Sequence, residues 1–592
     1  MSSGDSNFIQ HVLLWIVGHG FWNNLIEIRK GAHGIGVFQK GGNLQIDDIL
    51  LRIPKSNILS PKNSYIYNLI YDYDTSAGSH LRDGIQGLVL SVIYELSLGD
   101  SSPWFDYLQS IDISLKSDNL IVPVCLWSPD DKHNLKNTDI DVLNIMDSSE
   151  LVELYLECIR FAESCSKLLT VPKILRFNEV SKKELLGEYS GRLLEFGKIV
   201  QLVMSRAFSI DEYYDMSLVP GADLFNHIGP LRNENTIEGQ ENIEFVCDRN
   251  ACSECGAIDC EEHSECLSDD EETNLPPIDE QFDCESCRSS IESQNEVPLK
   301  EITLEYIEEL EKSLNEAEES LEKDFEDEDL EKDEKEDEEE DEQEDEEEDE
   351  MGKEQRASGD CGLNESDDSL DELDDDDLEQ ELADNSKCCD IILTKLPKEE
   401  CEFEIFNSYG NDLSNTYLLQ RYGFITDRNP NNSVLLTLPF LRYLKHYKQG
   451  LSIQRSKQVS EKFEWLRKVG FELLDNLVLE THKNQESGTS WELSLKVTEN
   501  GCSLQTYVLL NLIELPEKFF KEITRKKEKH QSPQVEKYLL KFDQDRLNQT
   551  VKAFCQEKLN NYPELIPSPN YEVINRFVDE EKRVLHSFIE NN

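Results

Sequence analysis

Apolar and polar positions along the chain alternate between helical and strand-like spacing. Residues 8–22 (FIQHVLLWIVGHGFW) carry apolar side chains at helical intervals and have glycines near their end, which predicts a helix. Residues 27–59 hold a glycine-rich turn, short strand-like runs and Asp47-Asp48 ahead of an Ile/Leu run, predicting a small antiparallel unit. The region 82–116 is helical in part, with an apolar stretch over 88–96 and a second helix starting at SSPW (101–104). Helical spacing returns over 149–206, as in LVELYLECIRFAESC. SLVPGADLFNHIGP (217–230) is a short apolar entry, a compact Asp/Asn/His patch and a Gly-Pro stop. Strand-like sequence follows at IEFV (243–246) and not again until DIIL (390–393). Glu402-Phe403-Glu404-Ile405-Phe406 then alternates polar and apolar, which predicts a half-buried strand ended by the turn Asn407-Ser408-Tyr409-Gly410. Beyond about 435 the spacing is helical, as in FLRYLKHYKQGL and EKFEWLRKVGFELLDNLV, and no fixed-period repeat is evident.

Composition changes this picture after Phe245. The segment 247–389 begins rich in cysteine and ends rich in acid, and the short strands on either side cannot stand alone, so it is expected to be an insertion within one domain. The formal charge of −65 is concentrated there: residues 321–350 hold 23 Asp or Glu against 3 Lys, and 361–384 add 12 acids with no Lys or Arg. Like charges at that density repel and cannot bury a core, so the block is expected to be disordered. It argues against direct nucleic-acid binding, which needs a basic surface, and for basic protein partners. No apolar run approaches the roughly 20 residues that span a bilayer. Met1-Ser2-Ser3-Gly4-Asp5 lacks the basic-then-apolar order of a secretory signal. A cytoplasmic location, or a nuclear one, with reduced thiols is therefore expected, and no membrane partner.

The sixteen cysteines are then candidates for packing, reactivity or metal. Cys252-x-x-Cys255 and Cys284-x-x-Cys287 are pairs of metal-ligand spacing, with Cys260, His263 and Cys266 between them. Thiolate and imidazole at such intervals suit tetrahedral zinc. Two ligand sets are open: the two pairs together, or Cys252, Cys255, Cys260 and His263. The plain alternative is a reduced, thiol-rich loop.

Four separated pieces carry the candidate chemistry: HGIG (33–36), SRAF (205–208), ADLFNH (222–227) and EIFNSYGNDLSNTYLLQRYGF (404–424). Singly, each is ordinary. Gly34 and Gly36 suit a tight turn, Arg206 a surface cation, and Asn226-His227 a cap. Tyr409 alone would be a core tyrosine with a satisfied hydroxyl. In this order, together with LKNTD (135–139) and SSPW, they resemble the SET-domain protein-lysine methyltransferases of the Rubisco large-subunit methyltransferase type.

That resemblance implies an α+β fold: a mainly-β SET domain with a pseudoknot and a helical insert, followed by an all-α C-terminal domain. The parts would be 8–246 with a helical insert at about 130–204, a Cys-rich insertion 247–300, a disordered acidic insertion 301–385, the rest of the SET domain at 386–430, and a helical substrate-binding domain 435–592. It implies S-adenosylmethionine as cofactor, with the backbone of His33, Gly34 and Ile35 at its methionine end. Arg206 would meet its carboxylate, Asn226 and His227 would hold the adenine and ribose side, and Phe424 would pack against it. Asp223, Tyr409 and Tyr422 would surround the target lysine, with Tyr409 the catalytic residue as an orienting and electrostatic group. The sequence departs from the family pattern at Cys401-Glu402, where a glycine is usual before the final strand, and at His33.

The expected activity is protein-lysine N-methylation of a basic cytosolic protein. A ribosomal protein comes first, with cytochrome c or a translation elongation factor as alternatives of the same chemistry. The alternative of another class is a non-catalytic SET scaffold that binds histones or other basic proteins.

Overall fold

A computed structural model describes residues 3–82, 84–109, 122–176, 191–232, 237–257, 260, 380, 382, 384–466, 495–524, 536–541 and 543–592. The chain opens with α1 (Ser3–His19), which buries Val12, Trp15 and Ile16. The strands β1 (Phe21–Trp22), β2 (Ile26–Gly31), β3 (Gly34–Gln39) and β4 (Ile49–Pro54) follow. β2 and β3 form an antiparallel hairpin whose last pair is Gly31 with Gly34, the latter at φ +100°. Helices come next: α2 (Tyr67–Ala77), α3 (Gly84–Leu98), α4 (Pro129–Asn134), α5 (Asp139–Val142), α6 (Ser149–Ser164) and α7 (Gly191–Arg206). The Ser128 hydroxyl caps α4 and Pro129 opens it, a pairing that sets a helix start from sequence alone. The helices between β4 and the next strand thus begin at Tyr67.

Two short hairpins lead on from α7, β5 (Ala207–Ser209) with β6 (Met216–Leu218) and β7 (Leu231–Arg232) with β8 (Ile237–Glu238). β9 (Ile243–Cys247) and β10 (Cys388–Leu393) then join the central antiparallel sheet in the order β1-β4-β10-β9. β9 and β10 pair from Cys247–Cys389 to Ile243–Leu393, so the strands flanking the long intervening segment are direct neighbours. Arg52 of β4 clamps Asp390 of β10 through two hydrogen bonds, Nε–Oδ1 at 2.7 Å and Nη2–Oδ2 at 2.5 Å. The acidic block, apart from residues 380, 382 and 384, lies outside the described residues, as do His263, Cys266, Cys284 and Cys287.

The strand expected at 402–406 is corrected. Glu402 and Phe403 stand at φ +54° and +62°, where an extended backbone is impossible, at the place where the family pattern has a glycine. Glu404, Ile405, Phe406 and Asn407 are all buried, without alternation. The segment is held by single bridges and bonds: the amide of Gln39 donates to the Phe403 carbonyl, and that of Ile405 to the Val37 carbonyl.

After α8 (Asn415–Tyr422) come β11 (Ser433–Leu435), α9 (Thr437–Gln449), α10 (Ile453–Trp465), β12 (Lys496–Thr498) and β13 (Gly501–Cys502). The chain then runs through α11 (Leu504–Glu514), α12 (Glu517–Thr524), α13 (Gln544–Asn560) and α14 (Tyr571–Asn591). The three-stranded sheet β11-β12-β13 corrects the all-α expectation for this region. Strands of two or three residues are too short to print a period of two on the sequence. No described helix is long and apolar enough to cross a membrane.

One apolar core gathers α1, the sheets and the helices up to Ile405, and a second fills the C-terminal helices. A third joins them, with Trp127, Leu135 and Ile140 against Ile425, Ile574, Phe577 and Val578. A buried polar network lies at this seam. Lys558 Nζ donates to Asp139 Oδ1 at 2.7 Å and to the Leu435 carbonyl at 2.9 Å, while the Asp139 amide donates to Glu581 Oε1 at 2.7 Å. Tyr562 donates its hydroxyl to Glu581 Oε2 at 2.6 Å. The LKNTD piece therefore ends on the aspartate that fixes the C-terminal helices to the rest of the chain.

Candidate active site

Three pieces of backbone cross at one place. The segment 403–407 lies against β3, and its end meets Asn226-His227, which β6 and the turn after it deliver from the other side. The Asn407 amide donates to the Asn226 carbonyl at 2.9 Å and the Ile228 amide to the Asn407 carbonyl at 3.0 Å, a parallel bridge between His227 and Asn407. The contact brings together chain pieces some 180 positions apart. The Asn226 side chain locks the crossing by donating Nδ2 to Glu404 Oε1 at 2.8 Å and to the Ile35 carbonyl at 3.2 Å.

Gly36 makes room for this. A Cβ there would lie 2.6 Å from Glu404 Oε1 and 2.7 Å from Asn226 Nδ2. Gly36→Ala is expected to destabilise the chain by about 1–3 kcal/mol, read as a lowered midpoint of chemical unfolding. The neighbouring Gly34, with φ +100°, has open space where a Cβ would stand. His33 is exposed at the turn, with its ring centroid 5.6 Å from that of Phe406 in an edge-to-face contact.

The crossing positions Tyr409. Its amide donates to His227 Nδ1 at 3.0 Å, so that nitrogen carries a lone pair. Burial holds the His227 imidazole down to about 4, opposed only by Glu241, so it is neutral at pH 7. The Tyr409 ring stacks on His227 at 5.0 Å and tilts against Tyr422 at 4.6 Å, while Phe424 closes the group at 5.9 Å from His227 and 6.0 Å from Tyr422. The Tyr409 hydroxyl points to the Phe225 carbonyl at 3.4 Å, its one partner among the described residues and a long one. Burial, then Tyr422, raises the Tyr409 phenol well above its ordinary value, and burial pushes Tyr422 up to about 12. Both phenols are protonated throughout the physiological range.

Beside this aromatic group, the end of α7 brings Arg206 to Asp223, with Nη1 donating to Oδ2 at 2.7 Å. The Asp223 side chain is 1% exposed. It also accepts the Tyr107 hydroxyl at 3.3 Å and the Gly221 amide at 3.2 Å. Burial alone would lower the Arg206 pKa; Asp223, Tyr107 and Tyr409 together outweigh it and the net shift is upward. Asp223, expected beside a target lysine, is thus joined to Arg206, expected at a carboxylate. Glu404, on Asn226, and Tyr107, on Asp223, were not singled out in the sequence. Glu404 had a visible signal, an acid between Phe403 and Ile405; Tyr107 had none.

Among the described residues the sulfurs of Cys252, Cys255 and Cys260 lie within 4.8 Å of one another. Cys247 is turned elsewhere, its thiol on the Ile210 carbonyl at 3.2 Å.

No protein-family model matches the chain. It is 26% identical over 456 residues to ribosomal lysine N-methyltransferase 3 of Saccharomyces cerevisiae, covering 76% of this chain and 66% of that protein. It is 28% identical over 257 residues to an uncharacterised protein of Schizosaccharomyces pombe, covering 40% of this chain and 48% of that protein. The chain thus spans about half to two thirds of the length of these relatives. Similar solved structures include the SET domain of LSMT bound to lysine and AdoHcy, with a TM-score of 0.46 and 12% identity over 100% of this chain and 91% of that one. Rubisco LSMT bound to AdoMet gives a TM-score of 0.45 and 12% identity over 98% and 91%. The chain, in which His227 and Asn407 meet in a parallel bridge, is thus similar over 76% of its length to a yeast ribosomal lysine N-methyltransferase.

Proposed function

We propose that the chain is an S-adenosylmethionine-dependent protein-lysine N-methyltransferase whose substrate is a basic protein, a ribosomal protein first of all. The observation that carries this is the Tyr409 phenol, protonated, enclosed by His227, Tyr422 and Phe424, and tied to the Phe225 carbonyl by one long bond. The ribosomal choice rests on the yeast relative's name and on the acidic balance of the chain.

The residues fit such a cofactor. The turn at His33, Gly34 and Ile35 leaves open space above Gly34, Arg206 offers a cation already fixed by Asp223, and His227, Tyr409, Tyr422 and Phe424 offer π faces to a positive sulfur. When bound, the cofactor supplies an electrophilic methyl group on a sulfonium; the carbon–sulfur pair stays with sulfur and the lysine lone pair forms the new bond. The protein's task is to present that lone pair. With a reference pKa near 10.4, roughly one lysine in a few thousand is neutral at pH 7. Aromatic walls penalise the ammonium and favour the amine. Tyr422 and Phe424 exclude water, and Tyr409 places one hydroxyl to orient the nitrogen, which is catalysis by position. Neither phenol is the base, since both are raised by burial.

Incubating the chain with methyl-labelled cofactor and hypomethylated ribosomal subunits is expected to label one ribosomal protein on lysine. Label on cytochrome c or an elongation factor alone would move the substrate and keep the reaction; no label in any basic fraction would remove the reaction.

A further inference from the structure

Away from the crossing, a second group of side chains has the makings of a site of its own. Just after β9 the chain makes a tight reversal: the Gly256 amide donates to the Cys252 carbonyl at 2.8 Å, and the Cys252 amide to the Ala257 carbonyl at 3.0 Å. Gly256 stands at φ +73°, and a Cβ there would lie 2.9 Å from the Tyr213 ring, so this position needs glycine twice over. The reversal puts Cys252 and Cys255 on one side, and Cys260 returns to join them, with all three sulfurs within 4.8 Å.

The spacing is informative. A metal with sulfur bonds near 2.3 Å sets its sulfurs at tetrahedral corners about 3.8 Å apart. Cys255 and Cys260 are 3.5 Å apart, close to that edge. Three thiols cannot all be satisfied by one disulfide, and none of these three is in one. The platform beneath is held by several contacts. Lys62 lies 4.3 Å from the centroid of the Tyr213 ring against which Gly256 packs. Buried Lys55 donates to Asp211 Oδ2 at 2.8 Å and to the Asp248 carbonyl at 2.5 Å, holding the chain just before the reversal.

We propose that Cys252, Cys255 and Cys260 bind a structural zinc ion as three thiolates, with one further ligand completing the tetrahedron. The ion would clamp the point where the chain leaves β9 for the long segment that returns at β10. It takes no part in methyl transfer, and its test is independent of that reading.

The full-length chain, purified under thiol reductant, is expected to contain about one zinc per chain by elemental mass spectrometry. Titration with a mercurial should release that zinc in step with thiol modification, a readout that needs no variant. Cobalt(II) in its place should give a thiolate charge-transfer band and tetrahedral d–d absorption. Cys252→Ser and Cys260→Ser are each expected to lower zinc content about tenfold or more, while Cys401→Ser keeps it. Three results would overturn the proposal: a chain that takes up no zinc or cobalt after incubation with the chloride salts, an octahedral cobalt spectrum without a thiolate band, or full zinc retained in Cys260→Ser but lost in Cys284→Ser. The last would give the ion to the two Cys-x-x-Cys pairs instead.

Discussion

Tyr409→Phe is expected to slow the proposed methyl transfer about 10²- to 10³-fold. The fold and cofactor affinity should change little. Phenylalanine preserves the stack on His227 and the contact with Tyr422, and the hydroxyl it lacks makes only the 3.4 Å bond to the Phe225 carbonyl. The loss should therefore fall on kcat, with the dissociation constant for the cofactor product, measured by calorimetry, within about twofold. Because burial raises the Tyr409 phenol, its ionisation does not shape the pH–rate profile near neutrality. Activity should rise with pH as the substrate amine loses its proton, with the same slope in both proteins. A variant within threefold of the parent rate would show that the phenol packs the channel without aiming the nucleophile.

Local signals made part of this site visible in the sequence. α1 and α6 show their apolar faces at helical intervals. Gly34, Gly36 and the 407–410 turn stand out because the backbone there needs particular residues. The rest depends on contacts between distant positions, which leave no periodic trace. Tyr107 reaches Asp223 from 116 positions away, and nothing around it sets it apart from a core tyrosine. Glu404 suggests the exposed face of a strand, yet it is buried because Asn226 crosses above it. The expected strand failed for a conformational reason: two residues that are not glycine stand in the left-handed region at Glu402 and Phe403. In the C-terminal part, β11, β12 and β13 exist because Val434 and Val497 bury together, and runs of two or three residues carry no pattern.

The seam between the two main cores has its own expected result. Lys558→Met should destabilise the chain by about 3–5 kcal/mol, more than the loss of any exposed ion pair. Lys558 is the cation facing the carboxylates of Asp139 and Glu581, and all three side chains are buried. Removing it leaves two acids without compensation and also strips a donor from the Leu435 carbonyl. pH separates this from simple loss of packing. Burial, then the charge of Asp139, raises the Glu581 carboxyl to about 7, against an ordinary value of 4.5. Between those values the folded chain keeps a proton that the unfolded chain has released. Its stabilising contribution is thus complete below about 4.5 and is lost as pH rises through about 7. Glu581→Gln, which is always neutral, should abolish that slope and gain on the parent above pH 7. The defect of Lys558→Met should be smallest near pH 5, where Glu581 is already protonated, and greatest near pH 8, where two carboxylates face each other. Urea unfolding followed across that range decides it. A Lys558→Met penalty independent of pH would show that the lysine acts through its aliphatic stem, and that the network at Asp139 does not set the docking of the C-terminal helices.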